Sequence, residues 1–205
     1  MPSKAYTASF EIAGPLAIFT RPDSGATFVS YPAPTFSALR GMFDCVAWLR
    51  TAFLRPTSVE ICRPLQFQRY VTNYRGPLRK SDQLSKNASY QLFATVLVDV
   101  CYKVYGEAVS RTGFVSTHNH LHYLVEKFER RLRQGRFHHT PCLGWSEFTP
   151  TYFGPLRSET APDRTLNLEI PSMLHSVFDP DASGLPKPRF HQNLQVRQGE
   201  LRFVE

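Results

Sequence analysis

The segment "THNHLHY", residues 117–123, brings His118, His120 and His122 together with Tyr123, and Lys127 follows a helical turn later. Side chains of these types can break RNA without a metal, one removing the 2′-hydroxyl proton and another protonating the leaving oxygen. His120, His122 and Lys127 are the candidates for such a step. The alternative is a helix start decorated with solvated histidines, and the spacing does not choose between them. His118 and His122 at i, i+4 share a helix face that suits zinc, but a third ligand and the carboxylate of H-E-x-x-H are missing, so no metal is assigned. Neither a phosphate-binding loop nor G-x-G-x-x-G nor a nucleophile elbow occurs, and the sequence calls for no cofactor.

A second chemistry is binding. "RPLQFQRYVTNYRGPLRKSDQLSKN" carries Arg63, Arg69, Arg75, Arg79 and Lys80, interleaves Tyr70, Asn73 and Tyr74, and has no acidic residue before Asp82. Cations neutralise phosphates, and unpaired bases stack on aromatic rings, so a basic hairpin of this kind suits single-stranded RNA. A hairpin whose tyrosines pack underneath it is equally compatible. "KFERRLRQGR" adds Arg130, Arg131 and Arg133, which either face a nucleic acid or pair with Glu126 and Glu129 along a solvated helix. The net charge of +7 and a pI near 9.4 agree with a polyanionic partner. Charge that serves only solubility, or another partner, is the third reading.

These residues need elements to hold them. Alternating apolar residues from Tyr6 to Ile12 predict a strand that Gly14-Pro15 closes. Thr35 is placed to cap a helix with Phe36, Leu39, Phe43, Val46, Leu49 and Phe53 on its inner stripe and Arg40, Asp44 and Ala47 off it. Arg40-Gly41 sits in its first turns. Val59 and Ile61 begin an extended run, and the even positions from Tyr90 to Val104 are almost all apolar, the clearest strand of the chain. Ser116 or Thr117 caps a second helix, with Leu121, Leu124, Val125, Phe128 and Leu132 inward, Lys127, Arg130, Arg131 and Arg133 largely outward, and Gly135 at its end. Gln198-Gly199 reads as a hairpin turn. The order is β-α-β-β-α-β, a ferredoxin-like α+β arrangement with both helices on one face.

The 205 residues suit one compact core, and 42% hydrophobic with 20% charged residues is ordinary for a folded chain. No apolar run spans a bilayer and the N-terminus lacks a signal-peptide core, so a cytoplasmic protein is expected. Cys45, Cys62, Cys101 and Cys142 lack C-x-x-C spacing and read as buried free thiols.

"GPLAIFTRPD", "SYPAPTFSALRGMFDCVAW", "LVDVCY", "FERRLRQGR", "LGWSEF" and "LQVRQGELRFVE" come in the order of the CRISPR-associated Cas family five proteins of type I-C systems, and together the chain resembles that family. The resemblance implies an RRM-like, modified ferredoxin fold of the repeat-associated mysterious protein (RAMP) class over residues 1–150. A β-hairpin thumb is inserted at about 63–90, and a small C-terminal β region occupies 151–205. It also implies a prokaryotic subunit of the Cascade surveillance complex that grips the 5′ handle of crRNA. The neighbours would be the Cas backbone subunits and the large subunit, with target DNA reached through the complex. Arg21 and Arg40 would face the RNA beside the thumb and the basic helix, and Gly41 would permit close approach.

Members of this family often cut precursor crRNA with a tyrosine on the first helix and a Lys-His pair near the second. Here "CVAW" has Ala47 in the tyrosine's place, Leu121 stands where the lysine belongs before His122, and "LGWSEF" has Ser146 where a basic residue is usual. The sequence therefore reads as a handle-binding subunit without that nuclease. An endoribonuclease with relocated groups is the alternative.

Overall fold

Alternation from Tyr6 onward becomes β1 (Thr7–Ala17) in the computed structural model, which describes residues 5–25, 27–74, 80–111, 119–178 and 185–203. Then follow β2 (Phe28–Val29), α1 (Phe36–Val46), β3 (Ala52–Ile61), β4 (Phe67–Tyr74), α2 (Ser81–Ser85) and β5 (Tyr90–Ser110). After these come α3 (His120–Arg133), β6 (Tyr152–Gly154), β7 (Leu168–Ser176), β8 (Arg189–Arg197) and β9 (Glu200–Arg202). The molecule is sheet-rich with few helices. Its strands join along the path β6-β1-β5-β3-β9-β8-β7, antiparallel throughout, and β2 and β4 pair with β5 off that path, β2 in parallel. Strands β3 and β7 stand apart along the path yet both pack on α1, so the sheet curls around this helix.

The core lies where α1 and α3 meet the sheet. Phe10 of β1, Phe43 of α1 and Phe128 of α3 are fully buried, with ring centroids 4.9 Å apart for Phe10–Phe43 and 5.4 Å for Phe43–Phe128. Gly106 makes this packing possible, because a Cβ there would stand 2.8 Å from both the Phe43 ring and the Arg55 carbonyl oxygen. Thr35 caps α1 as expected, accepting from the Ala38 N–H. The helix is shorter than the apolar spacing implied: it ends at Val46, and Phe53 belongs to β3. Ala47, expected off the apolar stripe, is buried at 2% exposure as the C-terminal cap.

Strand β5 is the backbone of the molecule. Residues Tyr90–Leu97 pair with β4, and Tyr102–Ser110 pair with β3, while β1 runs along its other edge from Leu97 to Glu107. Between the two partners Asp99 takes a positive φ of 48°, where the strand leaves one neighbour for the next. The even positions noted in the sequence are its inner face.

The opposite face of the sheet carries a buried polar knot. Glu11 is 0% exposed, pairs with the Arg157 guanidinium at 2.6 Å and accepts from the Arg157 backbone N–H and the Thr160 hydroxyl. Lys103 Nζ donates to the Arg157 and Thr160 carbonyls at 2.9 and 2.6 Å. The chain after β6 is thereby strapped across the sheet. Strands β8 and β9 are joined by Gln198-Gly199 with φ of 50° and 78°, the double positive φ of a type I′ hairpin that the sequence had marked. Among the described residues no helix is long and apolar enough to cross a membrane.

Candidate nucleic-acid interface

Cross-strand pairing sets which side chains of the β4–β5 ribbon share a face. Phe67, Arg69, Val71 and Asn73 lie on one face, with Phe93 opposite Val71 and Gln91 opposite Asn73. Phe67, Val71 and Phe93 are each close to half exposed, and Arg69 and Asn73 are exposed beside them. This face carries rings and a guanidinium turned to solvent. The other face carries Tyr70, whose ring packs on Phe148 at 5.3 Å and Trp145 at 6.4 Å and whose hydroxyl donates to Glu147 at 3.2 Å. Of the two places open to this tyrosine it takes the packed one. Phe67 and Phe93 take the outward place instead, and Phe93 was legible as an aromatic at an odd position of an even-faced strand.

The segment "LGWSEF" explains itself at the ribbon's base. Leu143 and Ile18 share a backbone hydrogen bond of 2.9 Å, Trp145 and Phe148 stack at 5.6 Å, and Gly144 sits at φ 102°. A Cβ on Gly144 would lie 1.6 Å from the Ile18 carbonyl oxygen, so only glycine closes this turn.

The α3 cations divide. Arg131 Nε donates to the Val46 carbonyl at 2.5 Å and Lys127 Nζ to the Trp48 carbonyl at 3.2 Å. They satisfy carbonyls at and beyond the C-terminal end of α1, where positive charge is favoured. Both were expected on the outer face; a neighbouring helix end claims them. Arg130 and Arg133 are exposed, and Arg133 lies 3.7 Å from Glu129. Arg21 pairs with Asp23 at 2.7 Å beside Tyr31, at a cleft of about 640 Å³ between that loop and β7–β8. Its charge is compensated. Lys80 is exposed at the start of α2. Arg75, Arg79 and the Tyr74 side chain lie outside the described residues.

At the start of α3 the helix cap is Asn119, whereas Ser116, Thr117 and His118 lie outside the described residues. Asn119 Oδ1 accepts from the His122 N–H and its Nδ2 donates to the Tyr6 hydroxyl. The Tyr6 ring meets His122 edge-on at 5.7 Å, and His122 Nδ1 is 3.5 Å from Glu126. His120 Nε2 bonds the Ser110 hydroxyl at 2.9 Å. His120, His122 and Lys127 thus each face a different partner. Tyr6, Ser110 and Asn119 escaped the sequence reading because their neighbours are far away along the chain.

Arg40 lies along α1 with Asp44 Oδ2 3.5 Å away and its guanidinium 3.9 Å from the centre of the Phe53 ring. Burial pushes the Asp44 carboxyl up, against the pull of Arg40 and Arg111. Burial likewise depresses Arg40, with Asp44 opposing and Arg111 adding to the effect. Gly41 is exposed, and among the described residues nothing beyond its chain neighbours and its own helix backbone lies within 4 Å of where its Cβ would be.

Known proteins resemble the chain along most of its length. The Cas_Cas5d family profile, a CRISPR-associated protein (Cas_Cas5), matches residues 8–199. A protein of Thermus thermophilus named CRISPR pre-crRNA endoribonuclease Cas5d is 34% identical over 180 residues, covering 86% of this chain and 76% of the relative. A protein of the same name from Mannheimia succiniciproducens is 28% identical over 187 residues, 80% and 81% of the two chains. Among solved structures, a CRISPR-associated protein superposes with a TM-score of 0.73 at 19% identity, and the functionally uncharacterized protein SMU1763c of Streptococcus mutans with 0.70 at 20%. Each covers 97% of this chain and 92% of its own, so the fold is shared. With the family's matched span running from β1 to the β8–β9 turn, this chain belongs to the CRISPR-associated Cas5 family.

Proposed function

We propose that the chain is an RNA-binding subunit of a crRNA-guided surveillance complex, gripping the 5′ handle of crRNA without cutting it. The observation that carries this reading is the place of Ala47: a buried methyl closes α1 where the family's resemblance calls for a phenol. The relocated candidates His120, His122 and Lys127 face Ser110, Glu126 and the Trp48 carbonyl, three separate tasks. Exposed Phe67, Phe93 and Arg69 supply stacking rings and a cation on one ribbon face, the combination that holds single-stranded RNA. The ribbon serves as the thumb, directed at the Cas backbone subunits, with the large subunit and target DNA reached through the assembled complex. The path β6-β1-β5-β3, with α1 between β1 and β3 in the chain and α3 between β5 and β6, supports a modified ferredoxin-like frame of the RAMP class, to which β7–β9 add the C-terminal β region.

One arrangement favours a second reading, metal-independent cleavage. The Tyr6 phenol is anchored by Asn119 beside His122, and the Thermus thermophilus relative is named as a pre-crRNA endoribonuclease. Labelled precursor crRNA incubated with the purified chain in EDTA separates the two. Retention of repeat RNA over scrambled RNA, with no product, is the expected result. Cleavage at one site of the repeat that disappears in Tyr6→Phe and His122→Ala would establish the nuclease instead.

A further inference from the structure

Two guanidiniums share one aromatic ring. Arg40 Cζ lies 3.9 Å and Arg111 Cζ 5.3 Å from the centroid of Phe53. Arg40 comes from α1, Phe53 from β3, and Arg111 from the residue that follows β5, whose N–H is fixed to the Thr51 carbonyl at 2.9 Å. Three elements therefore converge to hold two like charges together. Asp44, 3.5 Å from Arg40 Nε, is the carboxylate of this group, and it is about one quarter exposed, as is Arg40. Among the described residues the Nε atoms of both arginines are buried and meet no hydrogen-bond acceptor with good geometry.

Charges removed from water are ordinarily paired, and buried donors are ordinarily bonded, because leaving either alone costs free energy. Among the described residues two cations here face one carboxylate, and the balance lacks one negative charge. A phosphodiester carries one negative charge on two non-bridging oxygens, and planar guanidiniums match it better than any other cation does. Beside Arg40 the helix presents Gly41, where no Cβ obstructs a strand's approach.

We propose that Arg40 and Arg111 clamp one phosphodiester of the bound RNA over Phe53, with Asp44 orienting Arg40. The proposal rests on the RNA-binding reading above and adds Arg111, Asp44 and the kind of group they hold. Both guanidiniums contact the Phe53 ring, and the helix and sheet that carry them fix the clamp before RNA arrives.

The test uses the full chain with RNA of the repeat sequence from the same genome, made as a series in which one linkage at a time is a neutral methylphosphonate. In the unmodified protein one linkage is expected to weaken binding about tenfold when neutralised. That linkage falls silent in Arg40→Gln and in Arg111→Gln, while every other linkage keeps its effect. The slope of log affinity against log salt falls by about 0.7 in each variant, one phosphate contact fewer. Should a glutamine variant lose its thermal transition, Arg40→Lys and Arg111→Lys keep the charge without the planar fork and report partial loss at the same linkage. Binding in which no linkage answers to both arginines overturns the clamp and leaves the RNA-binding reading standing. A protein that does not prefer repeat RNA to scrambled RNA of equal length overturns both.

Discussion

Gly41 stands in the middle of α1, and among the described residues nothing beyond its chain neighbours and its own helix backbone crowds the place of a side chain, so the packing around it does not require a glycine. Alanine in its place should stabilise the chain by about 0.5–1 kcal/mol, since glycine weakens a helix interior by that amount. The urea midpoint of Gly41→Ala is expected to rise while affinity for repeat RNA falls. A rise in both would mean that no strand passes close to this turn. Ala47 is the complementary case, a small residue whose size the packing does demand, and Gly144 is the extreme one, with a carbonyl oxygen occupying the place of its Cβ.

At the scale of elements, the exposed face of the β4–β5 ribbon makes the sharpest forecast. Phe67→Ser and Phe93→Ser remove rings that are already about half in water, so denaturation midpoints should barely move. Each ring that stacks a base should nonetheless cost about 1–3 kcal/mol of RNA affinity, measured by titration at fixed salt. Unchanged affinity in both variants would remove the ribbon face from the interface. Local patterns foretold much of the framework, because a cap, a period or a turn is written in adjacent residues: Thr35 before α1, the even face of β5, the Gln198-Gly199 hairpin. The three-to-four spacing that carried the first helix on to Phe53 was coincidence, since Ala47 already leaves the helix and β3 claims Phe53 for the sheet. The roles of Lys127 and Arg131 were illegible for a different reason. Their partners are carbonyls at and just beyond the end of α1, and only the packing of α3 on α1 brings those within reach. The pairing of Arg40 with Arg111 through Phe53 is hidden in the same way.

Over the whole molecule, the strap held by Glu11 ties the last quarter of the chain to the sheet. Burial acts to raise the Glu11 carboxyl, but hydrogen bonds from the Arg157 backbone and guanidinium, from Thr160 and from Cys101 outweigh it, and the group lies below its ordinary 4.5. A carboxylate so depressed contributes stability in full above its unfolded value and loses it as pH falls through the folded one. The unmodified chain should therefore lose more of its denaturation midpoint between roughly pH 5 and pH 3 than Glu11→Gln, which is weaker at neutral pH and flatter in acid. Parallel pH profiles would mean that the strap is held by Lys103 alone. Strand β5 has a wider bearing on how such proteins can be re-engineered. Its 21 residues belong both to the ribbon and to the body, so the ribbon is no detachable loop. Exchanging it for a relative's would carry a register choice at Asp99 into the interior. A graft that shifts the strand by one residue there would turn the inner face of the body outward, which makes the fold itself the judge of which ribbons it accepts.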